Sequence, residues 1–159
     1  MSHQPAPARP TRPAKRRFAG TRAQIRSAAS LYKVLAYSTG VMLLLVVVEM
    51  VAKYGFGSDI VAGGTLADGT AHTFGLLKDG AFEGGVNLST IVLIVHGWMY
   101  VAYLIADFRL WSLMRWPFSR FITIALGGVV PLLSFFMERK VHGEVERELA
   151  AHPEAAKRY

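Results

Sequence analysis

Ser89, His96, Tyr100, Tyr103 and Asp107 follow one another at steps of seven, four, three and four, which keeps them on a narrow arc of a helix turning about 100° per residue. An imidazole, two phenols and a carboxylate in line are groups from which a proton relay is built. Two further faces carry polar or small residues at helical spacing. One holds Ser38, Met42, Glu49 and Lys53; the other holds Arg120, Thr123, Gly127, Pro131, Ser134 and Glu138. With a rise of about 1.5 Å per residue, Glu49, His96 and Ser134 fall at a similar depth, within about two helical turns of one another. The candidate polar cluster is therefore Glu49, His96, Tyr100, Tyr103 and Ser134.

Two arrangements are open for Glu49. It could pair with His96 across a bundle, or with Lys53 one turn along its own helix, leaving His96 to an ordinary interhelical hydrogen bond. Haem is disfavoured, because only His96 lies in an apolar stretch and a second axial ligand would have to be Met42 or come from another copy. A relay through His96, Tyr100 and Tyr103 would need a second carboxylate path on the inner side, where only Asp107 stands, at the rim. There is no H-E-x-x-H, no paired aspartates and no phosphate loop, so no enzyme, metal site or cofactor is expected. The absence of cysteine excludes disulfides and thiolate sites.

The elements that must position these residues are three apolar stretches, 34–52, 88–106 and 118–137, each near the roughly 20 residues that a bilayer-crossing helix needs. The expected fold is an all-α membrane protein with three transmembrane helices whose polar faces meet one another. A disordered basic tail over 1–20 precedes a membrane domain over 21–143, with a glycine-rich outer loop at 54–87 and a tail at 144–159. In 159 residues no second globular domain fits. A cleaved signal peptide is the weaker reading of the first stretch, which is long, contains Glu49 and lacks a following small-residue cleavage site.

Seven Lys and Arg between Arg9 and Arg26, with no acid among them, mark the amino end as cytoplasmic. Three crossings then put the C-terminus outside and divide the basic residues 11 inside to 7 outside. The Pro-, Ala- and Arg-rich tail fits anionic lipid headgroups better than nucleic acid. Thr21 and Gln24 have capping-box spacing.

The loop at 54–87 holds Gly63-Gly64, Asp68-Gly69, Asp79-Gly80 and Gly84-Gly85, which are turn formers bounding short strands. Asp59, Asp68 and Asp79 are too far apart for a calcium loop. Trp111 and Trp116 with Arg109 and Arg115 read as an interfacial segment. Val141, Val145 and Leu149 predict a short C-terminal amphipathic helix ending before Pro153, lying on the membrane or against the outer loop.

Tyr37-Ser38-Thr39-Gly40 leading to Glu49-Met50 and Lys53-Tyr54, then His96-Gly97-Trp98 with Tyr100 and Tyr103, then Gly127-Gly128, Pro131, Ser134-Phe135 and Glu138-Arg139 together resemble a bacterial integral-membrane family, domain of unknown function 3817, over about 29–143. The resemblance implies three helices in the plasma membrane and no established activity or site residue; the outer loop is longer than expected for it. The function expected is a non-enzymatic membrane module or accessory subunit packing through polar helix faces, with the bilayer, a second copy or a larger membrane complex as partner. The alternative is a small oligomeric transporter or channel using the His96/Glu49 face.

Overall fold

The computed structural model describes residues 17–78 and 80–153. Helix α1, Arg22–Met50, starts at a reciprocal capping box: Gln24 N–H donates to Thr21 Oγ1 and Thr21 N–H to Gln24 Oε1. It passes without a break into a π-helical turn, Val51–Gly55. Its buried face runs Ile25, Ala28, Ala29, Tyr32, Ala36, Thr39, Gly40, Leu43 and Val46. The small members of that stripe let neighbouring backbones approach closely. Helix α2, Leu88–Met114, is capped by Asn87, whose Oδ1 accepts from Thr90 N–H at 3.0 Å. α1 with its π turn, and α2, are each long and apolar enough to cross a membrane.

Between them the glycine-rich loop forms five short strands: β1 (Ser58–Ala62), β2 (Thr65–Leu66), β3 (Phe74–Lys78), β4 (Phe82–Glu83) and β5 (Val86–Asn87). β1 lies between β3 and β5, all antiparallel, with Ile60 opposite Leu76 and Ala62 opposite Val86. β2 and β4 form a separate ribbon. Gly85 has φ +78°, and a Cβ there would lie 2.6 Å from the Gly63 carbonyl oxygen, so the ribbon closes only with glycine.

The third apolar stretch departs from expectation. It is not one crossing helix but two helices, α3 (Phe118–Ala125) and α4 (Leu133–Ala151), joined through a 3-10 turn at Leu126–Gly128. The physical cause is local. Pro131 lacks an N–H and its ring clashes with the carbonyl four residues earlier, Gly127-Gly128 is a weak helix former, and Leu132 takes a left-handed φ of +66°. The chain then reverses: Ser134 bonds to Ala36, Glu138 faces Lys33, and Glu146 meets Arg26. α4 thus runs back beside the amino-terminal half of α1, so that among the described residues Arg17 and Glu148 lie at one end of the bundle.

Val141, Val145 and Leu149 form the expected apolar stripe of α4, but it is buried in the core with Ile25, Tyr32, Leu110 and Ile124, not laid on the outer loop. Two residues of the stretch expected as a tail, 1–20, are packed against the bundle. Phe18 is 2% exposed, and Ala19 N–H donates to the Leu113 carbonyl at 2.8 Å. The rest of that tail, 1–16, and the end of the C-terminal tail, 154–159, lie outside the described residues.

Candidate functional site

The polar residues of α2 share a face, as their spacing requires, but the structure divides them among three levels. At the sheet end, Ser89 Oγ accepts from Ile60 N–H at 2.9 Å and donates to the Glu49 carboxylate. Beside this, Lys53 Nζ reaches both oxygens of Asp59 at 3.1 Å, and Asn87 Nδ2 donates to Asp59 Oδ2 at 3.0 Å. Asp59 is buried, so its charge is answered by a cation and an amide where an unpaired carboxylate would be costly. These bonds tie the sheet onto the helix pair. They border a cavity of about 290 Å³ lined by Val46, Glu49, Met50, Lys53, Tyr54, Ser89, Thr90 and Leu93.

The middle level is aromatic. The His96 ring lies over Tyr100 at 6.5 Å between centroids, and Tyr100 over Tyr103 at 6.2 Å. Tyr103 donates to the Ile124 carbonyl at 2.6 Å and Tyr100 to the Ala125 carbonyl at 3.3 Å. These are the carbonyls where α3 gives way to 3-10 geometry, so the two phenols complete a backbone whose regular ladder is ending. Across the bundle, Ser134 Oγ donates to the Ala36 carbonyl at 2.5 Å and Thr39 Oγ1 to the Met99 carbonyl at 3.4 Å. His96 Nδ1 is buried without a hydrogen-bond partner.

The third level lies between α1, α2 and α4, and it is the most unusual electrostatically. Asp107 is 0% exposed, with no donor on either carboxylate oxygen. Glu138 is 2% exposed; its Oε1 accepts no hydrogen bond and lies 3.8 Å from Lys33 Nζ. The Tyr32 and Tyr103 hydroxyls, 3.5 Å apart, stand in the same region, and the charges of Asp107, Glu138 and Arg120 all act on Tyr32. Arg120 is itself engaged, ion-paired with Glu144 and 5.6 Å from the centre of the Trp116 ring. Farther along α4, Arg26 bonds to Glu146 at 3.1 and 2.9 Å, and that hydrogen bonding first, with the Arg26 charge, holds the Glu146 carboxyl below its ordinary value. Arg17 reaches Glu148 at 3.3 Å.

Of the residues singled out in the sequence, His96, Tyr100 and Tyr103 therefore form one stack, Ser134 holds α4 to α1, and Glu49 sits apart with Ser89. Glu49 and His96 are not hydrogen-bonded to each other. The site that sequence reasoning missed is Tyr32, Asp107 and Glu138 with Tyr103 and Lys33. Tyr103 and Asp107 at i,i+4 were a signal for half of it. Asp107 was read as a rim residue, and nothing revealed that α4 would return to cover it. Chemically, two buried carboxyls, two phenols and one amine can bind and exchange protons.

The family model described as domain of unknown function (DUF3817) matches residues 29–143. Among similar proteins, an uncharacterized protein of Mycobacterium tuberculosis is 27% identical over 115 residues, covering 72% of this chain and 73% of the relative. One of Mycobacterium bovis matches to the same extent. An uncharacterized protein of Mycobacterium leprae is 26% identical over 113 residues, 71% of each chain. No solved structure matches.

Proposed function

This chain belongs to the DUF3817 family, and on that premise we propose that it is a small non-enzymatic module of the bacterial plasma membrane that packs against a second copy or a larger membrane complex. α1 and α2 cross the bilayer in this reading, and the α3–α4 hairpin enters it from the cytoplasmic side and returns. Exposed Val34, Val41, Leu45 and Val48 on α1, Ile91, Leu93, Ile94, Trp98, Val101 and Ile105 on α2, and Ile122, Leu126, Val129 and Phe136 on the hairpin support a lipid-facing belt.

Charge supports the orientation. Among the described residues, Arg17, Arg22, Arg26, Lys33, Arg109, Arg115, Arg120, Arg139, Lys140 and Arg147 lie toward the end where Arg17 meets Glu148, and only Lys53 and Lys78 toward the sheet. The positive-inside rule makes the first end cytoplasmic. In this reading the C-terminus is cytoplasmic, where the charge count over three crossings leads to the expectation of an external one. Anionic headgroups are the expected ligands of the basic segment preceding Arg17.

The observation carrying the packing role is the pair Gly97 and Trp98 on α2: a Cβ on Gly97 would meet nothing within 4 Å, and Trp98 is 73% exposed. A glycine with open space beside an exposed ring lets a further helix approach closely and pack there. Because the chain has no cysteine, single cysteines give a clean test. In native membranes Trp98→Cys is expected to cross-link to itself or to a co-purifying partner, and Ile122→Cys to stay monomeric. Two monomeric variants, with no partner in mild detergent, would contradict the reading.

A further inference from the structure

The buried carboxyls on α2 and α4 have no use in the packing role proposed above. Asp107 is fully buried and neither of its oxygens has a donor within hydrogen-bond reach. An ionised carboxylate so enclosed would bear the whole cost of lost hydration. The groups around it come from every packed element: Asp107 acts on Tyr32 of α1 and on Tyr100 and Tyr103 of α2, and the charges of Arg120 on α3 and Glu138 on α4, the latter beside Lys33 of α1, reach the same Tyr32. Their commitments leave little for Asp107. The Tyr103 and Tyr100 hydroxyls donate to backbone carbonyls, Arg120 pairs with Glu144, and Lys33 lies against Glu138. A metal ion is the poorer candidate. The described residues bring no three His, Asp or Glu side chains to a common point, whereas hard cations take six or more oxygen ligands.

We propose that Asp107 is a proton-binding site, taking its proton from water at the end of the bundle where Arg17 meets Glu148 and returning it there, and that the bound proton keeps the α3–α4 hairpin seated. The step is a simple transfer: hydronium gives its proton to a carboxylate oxygen of Asp107 and leaves as water, and the reverse restores the carboxylate. The route is marked by Lys33, whose side chain is 47% exposed while its amine lies 3.8 Å from buried Glu138. Seating follows from charge. With Asp107 neutral, the interface holds one carboxylate, Glu138, and one ammonium, Lys33. With Asp107 ionised, a second negative charge enters the enclosed region around Tyr32 on which the charge of Glu138 already acts, and α4 is pushed away from α2.

The test uses the full-length protein in an ester-free detergent, followed by infrared spectroscopy of the carboxylic acid C=O stretch across a pH series. At neutral pH the wild type should show a band that shifts when aspartate side-chain carboxyls carry carbon-13, disappears as pH rises, and is absent from Asp107→Asn. Isotope labelling of the wild type keeps the assignment testable even where the variant fails to fold. Amide exchange in 124–138, corrected for its intrinsic pH dependence, should quicken at least several-fold in the wild type over the pH range in which the band is lost, and remain unchanged in Asp107→Asn. No aspartate-sensitive band at neutral pH, or a band lost without faster exchange in the hairpin, would overturn the proposal. So would loss of the band on adding sodium or calcium chloride at fixed pH, which would make the site one for a metal cation.

Discussion

Tyr103 on α2 places its hydroxyl 2.6 Å from the carbonyl of Ile124, where α3 ends and the chain prepares to reverse. Both groups are buried, so this bond joins the central polar face to the hairpin with no water to replace it. Removing the hydroxyl leaves the carbonyl without that donor, at a cost of about 1–3 kcal/mol. Tyr103→Phe is therefore expected to lower thermal stability in detergent clearly, and Tyr100→Phe, whose bond is 3.3 Å and only partly buried, to lower it less.

Close packing of the turn gives a second prediction. A Cβ on Gly128 would lie 2.6 Å from the Tyr100 ring, while one on Gly97 meets nothing within 4 Å. Gly128→Ala should cost roughly 1–3 kcal/mol by overpacking. Gly97→Ala should be neutral or slightly stabilising, since alanine is the better helix former by about 1 kcal/mol. Thermal unfolding of the two variants side by side checks this; equal effects would count against the seated hairpin.

What the sequence disclosed follows from periodicity. The Thr21 and Gln24 spacing, the polar face of α2 and the Val141, Val145, Leu149 stripe were legible because each depends on helical repeat alone. The reversal at Leu126–Leu132 was not. Gly127-Gly128 and Pro131 were visible there, but hydropathy over 118–137 is the same for a helix that continues and one that turns back. Three crossings would leave Glu138 far from the start of α1, whereas α4 brings it to Lys33, the residue next to Tyr32. The separation of Glu49 from His96 was also hidden, since it depends on Ser89 meeting both Glu49 and the β1 backbone.

A pH prediction rests on Arg26 and Glu146. The folded-state value of Glu146 lies below its ordinary 4.5. The stability it contributes is therefore present above that ordinary value and is lost as pH falls through the folded value. Glu146→Gln should unfold at a lower temperature than the wild type near neutral pH and converge with it in strong acid. The difference will be small and reduced by salt, because the pair is largely solvent-exposed. A gap that widens in acid would contradict the assignment.

The central claim is that the chain crosses twice and that the α3–α4 hairpin returns both ends to the cytoplasm, and reporter fusions test it most directly. Alkaline phosphatase fused after Tyr159 should be inactive while a fluorescent protein at the same point is bright, and phosphatase inserted between Asp68 and Gly69 in the sheet region should be active. Active phosphatase after Tyr159 would mean that the third apolar stretch crosses the membrane after all, and would contradict the account.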